Sequence, residues 1–227
     1  MGPARVGVFG GTFNPIHSGH LHIAAKIQSV FSLSRIYFVV ASSPPHKRPE
    51  DLVPFLHRYA MVSLAVSGNA SFIPSLVELE PEASAYSIDT LKKLSRQAER
   101  DEGVLFFIAG GDSLLDVKTW HESEKLLTAY NFIFVIRPGI AGIDASACIP
   151  GKAQVRMCDV RGLAGSRIKK LIDANVNRNT IYLLDAGAPA ISSSMIRDRV
   201  ASGKTVRRMV PEPVHEYMEK LNLYGGI

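Results

Sequence analysis

Cysteine is scarce in this chain: only Cys148 and Cys158 occur in 227 residues, ten positions apart and in no CxxC pair. A disulfide framework and a cysteine-based metal cluster are therefore disfavoured, and reduced thiols in a cytoplasmic protein are expected. No apolar stretch approaches the roughly 18 residues needed to span a bilayer. The N-terminus has no long apolar core after a basic start, so no signal peptide is expected. No block of Lys and Arg forms a polybasic run, and aromatics do not alternate with basic residues. Nucleic acid is thus disfavoured as a partner, although the net charge is +5 and the pI about 9.2. That basic balance also suits polyanionic small substrates. The GxGxxG dinucleotide fingerprint is absent. Gly203-Lys204-Thr205 imitates the end of a P-loop, but Asp198 stands at the place of its first glycine. No internal repeat or low-complexity tract occurs.

What is present is an alternation of short apolar runs with segments of helical length. Residues 5–10, 36–41, 104–109, 132–137 and 180–184 read as buried strands, rich in Val, Ile and Phe. Their nearly unbroken hydrophobicity suits a parallel sheet covered on both faces. Helices are expected over 18–29, 54–66, 88–100, 122–129, 194–202 and 212–221, with Pro54 and Pro213 in first turns. The fold class is α/β, a Rossmann-like doubly wound parallel sheet in a single domain spanning 1–227. An irregular excursion is expected near 138–160. In such sheets ligands sit at the carboxyl ends of strands where the strand order reverses.

The sharpest local pattern is Gly10-Gly11-Thr12-Phe13-Asn14-Pro15-Ile16-His17-Ser18-Gly19-His20, directly after the first strand. Two glycines let backbone N–H groups approach a phosphate without a Cβ in the way. A following helix start adds N–H donors and the positive end of its dipole. His17 and His20, three apart, face one side of a first helical turn. The pattern reads as an anion pocket with two tunable donors. Zinc on His17, His20 and His22 is the weaker reading, since His22 points away and no Cys or carboxylate completes the set. An incidental Gly-Gly turn is the bland one.

These residues resemble the ATP-binding signature of the HxGH nucleotidyltransferase superfamily. Ile191-Ser192-Ser193-Ser194-Met195-Ile196-Arg197 resembles that superfamily's ISSTxxR. Its hydroxyls and the Arg197 fork suit phosphate oxygens, whereas ordinary N-capping is the plainer account of the serines. Three further segments resemble the nicotinate-nucleotide adenylyltransferase family. They are Pro44-Pro45-His46-Lys47, Tyr86-Ser87-Ile88-Asp89-Thr90-Leu91, and Phe107 to Leu114 with Trp120 shortly after. The departures are Asn14 for the frequent Asp, Ser194 for Thr, and Ala85-Tyr86-Ser87 for Ser-Tyr-Thr.

The resemblance implies AMP transfer from ATP to nicotinate mononucleotide, giving deamido-NAD and pyrophosphate in NAD biosynthesis. Catalytic roles fall to His17, His20, Lys47 and Arg197. ATP is assigned to Gly10, Gly11, Thr12, Phe13, His17, His20, Gly110, Asp112, Ile191, Ser192, Ser193, Ser194 and Arg197. The acceptor is assigned to Asn14, Lys47, Tyr86, Thr90 and Trp120. Each has a bland counterpart: Lys47 as a solvated surface lysine, Asp112 as a helix N-cap, Trp120 as core instead of a stacking platform for a pyridine ring. No protein metal site is expected, and Mg²⁺ is expected to ride on ATP, ligated by phosphate and water. Alternatives are a different acceptor (nicotinamide mononucleotide or phosphopantetheine) and a catalytically silent nucleotide-binding regulator. No membrane partner is expected, and a homo-oligomer is compatible with the sequence.

Overall fold

The computed structural model describes residues 3–44, 48–80, 86–100, 103–136, 142, 144–175 and 178–225. Seven parallel strands among them form one sheet: β1 (Ala4–Gly11), β2 (Arg35–Val40), β3 (Phe72–Ser75), β4 (Gly103–Gly110), β5 (Asn131–Ile136), β6 (Met157–Asp159) and β7 (Ile181–Asp185). Their spatial order is β3-β2-β1-β4-β5-β7-β6. The helices are α1 (Ser18–Phe31), α2 (Phe55–Val66), α3 (Ser87–Arg100), α4 (Gly111–Asp116), α5 (Ser123–Ala129), α6 (Ala145–Cys148), α7 (Gly151–Gln154), α8 (Gly165–Ala174), α9 (Ser193–Ala201) and α10 (Glu212–Lys220).

Strand side chains point alternately to the two faces, and that divides the core into two layers. Phe9, Phe38, Phe106, Ile108, Ile133, Tyr182 and Leu184 pack with Ile23, Ile27, Phe31, Met61, Ile196 and Val214 of α1, α2, α9 and α10. Val8, Val39, Phe107, Phe132, Phe134 and Leu183 pack with Ile88, Leu91, Leu114 and Leu126 of α3, α4 and α5. A strand apolar on both faces therefore needs a helix on each side, and fully burying one such side chain contributes about 1.5–3 kcal/mol. In α1 the apolar set Ile23, Ala24, Ile27 and Phe31 recurs at helical spacing. The helix ends where Ser32 turns left-handed at φ 53°. Leu33 N–H then reaches back to the Gln28 carbonyl at 3.0 Å.

Strands β1 and β4 are hydrogen-bonded neighbours, with Phe9 opposite Ile108. From β1 the chain winds outward through β2 and β3, then returns to the other side of β1 as β4. The strand order thus reverses between β1 and β4, and a crevice opens beyond their carboxyl ends. Gly10-Gly11 and Gly110-Gly111 sit there.

The structure corrects several details. The stretch expected to be irregular, 138–160, holds α6, α7 and β6 among its described residues. Strands β3 and β6, and helices α4 and α8, were not anticipated. Pro54 is the N-cap of α2 instead of a first-turn residue, whereas Pro213 does lie in the first turn of α10. Gly110, not Asp112, is the N-cap of α4. Arg137 lies outside the described residues.

Candidate active site

Two adjoining cavities open at the reversal point. The first, of about 290 Å³, is lined by Gly10 to Asn14, His20, Gly110, Asp112, Ser113, Ser193 and Arg197, among others. The second, of about 680 Å³, includes Glu78, Tyr86, Thr90, Phe107, Trp120 and His121. Gly10, Gly11, Thr12, Asp112 and Ser113 line both, so the two cavities share a wall.

That wall is built by close packing. A Cβ on Gly10 would stand 2.8 Å from the Phe107 ring, so the loop can run over Phe107 only as glycine. Phe13, buried, takes a left-handed φ of 46°, a conformation costly for a bulky residue and held here by its surroundings. Its ring meets those of Phe9 and His20 edge-on, at 5.6 and 5.1 Å between centroids. A cis Asn14–Pro15 peptide follows.

His17 caps the N-terminus of α1 and is buried, 1% exposed. Its ring stacks on that of His20 with centroids 3.7 Å apart. The His17 N–H donates to His20 Nδ1 at 3.2 Å. With Nδ1 accepting, the proton of a neutral His20 ring sits on Nε2, which makes the ring a donor. His20 lines the first cavity, and His17 stands behind it as its stacking partner. At the start of α1 the Ser18 N–H donates to the Met209 carbonyl at 2.9 Å, so this donor is engaged within the protein. His22 Nε2 donates to the Ala186 carbonyl at 3.1 Å, away from the pair. Among the described residues no three His, Cys, Asp or Glu are grouped to hold a metal.

The C-terminal motif joins this loop directly. Ser193 Oγ donates to the Pro15 carbonyl at 2.9 Å, and Arg197 Nη1 donates to the Asn14 carbonyl at 2.9 Å. Ser193 and Arg197 are four apart on α9 and so share a face, the face that lines the first cavity. Ser192 and Ser194 lie elsewhere. Ser192 Oγ accepts the Met195 N–H as the N-cap, and its hydroxyl is 3.1 Å from that of Ser194. Both serines line a separate depression with Asp198 and Lys204. Ile191 N–H turns back to the Pro189 carbonyl at 2.8 Å. Of the segment assigned to ATP, Ser193 and Arg197 line the first cavity, and Ile191, Ser192 and Ser194 do not.

Asn14, assigned to the acceptor, lines the first cavity and not the second. Its amide donates to the Asp51 carbonyl at 3.0 Å. Its oxygen accepts from Val53 N–H at 3.3 Å and from Tyr224 Oη at 2.8 Å. An amide suits this place because it must donate once and accept twice, which an ionised carboxylate cannot do. Tyr86, Thr90 and Trp120 do line the second cavity. Tyr86 stacks on His121 with centroids 4.3 Å apart, and Trp120 meets Phe107 edge-on. Thr90 is buried, its hydroxyl donating to Glu78 Oε1 at 3.3 Å. Lys47 lies outside the described residues.

Sequence reasoning missed Arg58, Glu78, Ser113 and Tyr224. Arg58 is 2% exposed and shares its helix face with Met61, Val62 and Val66. A lone arginine at a core position of an apolar helix was the available signal. Burial lowers its pKa, opposed by Tyr224 and Glu78. Burial likewise raises Glu78, opposed by hydrogen bonds from Ser42 and Thr90 and by the Arg58 charge.

Comparison with known proteins agrees with this fold. A sequence profile of the cytidylyltransferase-like family matches residues 8–199. A protein of Geobacter metallireducens named "Probable nicotinate-nucleotide adenylyltransferase" is 41% identical over 221 residues, covering 97% of this chain and 98% of its own. A namesake from Thermoanaerobacter sp. (strain X514) is 36% identical, covering 97% and 94%. Among solved structures, Plasmodium falciparum nicotinic acid mononucleotide adenylyltransferase complexed with NaAD has a TM-score of 0.70 at 21% identity, with 97% of both chains covered.

Proposed function

The chain belongs to the nicotinate-nucleotide adenylyltransferases of the cytidylyltransferase-like family, and on that premise we propose how its two cavities carry out adenylyl transfer from ATP to nicotinate mononucleotide. A phosphate oxygen of the acceptor attacks the α-phosphorus of ATP. The bond from that phosphorus to the bridging oxygen breaks, and pyrophosphate leaves with the electron pair. The product is nicotinate adenine dinucleotide. The attacking oxygen is already anionic at neutral pH, so no general base and no covalent enzyme intermediate are required. The catalyst must hold two polyanions in line and spread the charge that grows on the transferred and departing phosphates.

The observation that carries this reading is the meeting of Ser193 and Arg197 with the Asn14–Pro15 carbonyls, beside a second cavity that shares a wall with the first. The first cavity takes the triphosphate. His20 donates to the α- to β-phosphate region, with His17 fixing its ring, while Ser193 and Arg197 hold the β,γ end. Asp112 accepts from ribose hydroxyls. The second cavity takes the acceptor, with the Trp120 indole against the pyridine ring; the family resemblance assigns Lys47 to aligning both reactants. A divalent ion fits as a passenger of the triphosphate. Among the described residues lining the first cavity Asp112 is the one carboxylate, and hard cations of this kind keep phosphate and water ligands. When bound it neutralises phosphate charge. Cys148 and Cys158 are unpaired, in keeping with a reducing cytoplasmic setting. Among the described residues no helix is long and apolar enough to cross a membrane.

Pyrophosphate release from ATP with a panel of acceptors tests the proposal. Nicotinate mononucleotide is expected to give the highest kcat/KM, ahead of nicotinamide mononucleotide and phosphopantetheine. Greater efficiency with either rival, or no release with any, overturns it.

A further inference from the structure

Ser42, just beyond β2, is gripped on both sides by opposite charges. Its N–H donates to Glu78 Oε2 at 2.8 Å, and its carbonyl accepts from Arg58 Nη2 at 3.4 Å. Each charge also reaches one of the two cavities. Arg58 Nη1 donates to the carbonyls of Thr12 and Ala41 at 2.8 and 2.7 Å, and Nε to that of Val53 at 2.9 Å. Thr12 belongs to the shared wall. Glu78 takes the Thr90 hydroxyl on its other oxygen, and both residues line the acceptor cavity. A continuous series of bonds thus runs from Thr90 through Glu78, Ser42 and Arg58 to Thr12.

We propose that Arg58 and Glu78 are positioning residues that fix the acceptor cavity relative to the nucleotide loop through the backbone of Ala41 and Ser42. Hydrophobic packing would fill the place of Arg58 at lower desolvation cost. Only a planar fork reaches carbonyls from the nucleotide loop, the end of β2 and the segment before α2 at once. A lysine has one nitrogen and cannot span them. Glu78 supplies two acceptors, one for the Ser42 N–H and one for the Thr90 hydroxyl, that an apolar side chain lacks. In-line displacement is sensitive to such placement, because an error of about 1 Å costs about 10²-fold in rate. The inference rests on the adenylyl-transfer reading.

The test is pyrophosphate release by the full chain with ATP and nicotinate mononucleotide, comparing wild type, E78A, E78Q, R58K and E78A/R58K. Melting temperatures and circular dichroism are recorded for each. E78A is expected to lose about 10- to 100-fold in kcat and to raise the KM for nicotinate mononucleotide, with the KM for ATP within about threefold of wild type. E78Q, which keeps an acceptor for the Ser42 N–H, is expected between the two. The double variant is expected to be no worse than the poorer single one, since both act on the Ala41–Ser42 backbone. A folded E78A with kcat within about twofold of wild type overturns the inference, as does a double variant whose losses multiply. If R58K does not fold, the E78A and E78Q pair decides alone. Wild type without activity overturns the adenylyl-transfer reading and this inference together. An active wild type with an indifferent E78A overturns only the inference.

Discussion

The imidazoles of His17 and His20 lie 3.7 Å apart between centroids, with planes inclined by 26°. The backbone N–H of His17 is also bonded to His20 Nδ1. Orientation and tautomer of the cleft histidine are therefore set by its neighbour three residues earlier. On the proposed mechanism, His20→Ala removes a donor to developing phosphate charge. A fall of about 10²–10³ in kcat at saturating ATP is expected. Near-normal turnover in that assay removes His20 from the mechanism.

Gly19→Ala probes the same pair without touching either ring's chemistry. A Cβ there would stand 3.0 Å from both Cε1 and Nδ1 of His17, which is buried and has little room to retreat. Overpacking of this kind costs about 1–3 kcal/mol, so a lower Tm is expected together with a reduced kcat. A variant as active as wild type would show that the stack tolerates displacement.

Arg197→Lys keeps the charge but loses the planar fork that donates to the Asn14 carbonyl while facing the cleft. We expect the KM for ATP to rise about tenfold and kcat to fall by a similar factor. Unchanged steady-state constants for ATP would assign Arg197 to loop architecture alone.

Trp120→Ala should act on the acceptor side only. Loss of an aromatic contact worth about 0.5–1.5 kcal/mol corresponds to a rise of roughly 2- to 12-fold in the KM for nicotinate mononucleotide. Trp120→Phe should recover much of it. An effect on ATP of the same size would contradict the division of the two cavities.

Alkaline pH should destabilise the fold through buried tyrosines. Burial pushes the Tyr182 hydroxyl up to about 12. Tyr224 moves the same way, against the pull of Arg197 and Arg58. Unfolded tyrosine ionises at about 10. The stabilising contribution of Tyr182 is therefore complete below that pH and is lost as pH rises from about 10 through about 12. Thermal melts across this window should decline more gently for Tyr182→Phe than for wild type. Equal slopes would place the titrating group elsewhere.

The inner strands were legible in the sequence because both their faces are buried, leaving unbroken apolar runs. Edge strands were not. Strand β3 carries Pro74 and β6 is only Met157–Asp159, and a half-exposed edge needs neither length nor hydrophobic continuity. Helix α8 did carry a helical signal, Ile168 and Ile172 on its buried side, amid basic residues that masked it. At the candidate site, motif spacing named segments that meet at one cleft but not which side chains face inward. That choice depends on α9 beginning at Ser193, which turns Ser193 and Arg197 to the cleft and leaves Ser192 as cap. Arg58 and Tyr224 act through carbonyl and amide oxygens far away in sequence, and no local pattern encodes such a partner.

Arg197 and the Asn14 carbonyl it grips are separated by 183 positions. During translation the glycine loop leaves the ribosome early but remains half a binding site until the last part of the chain has emerged and docked. On the proposed assignment, fragments that stop short of α9 build much of the sheet without gaining ATP affinity, so nucleotide protection against proteolysis is expected to report the docking of α9, not the folding of the sheet.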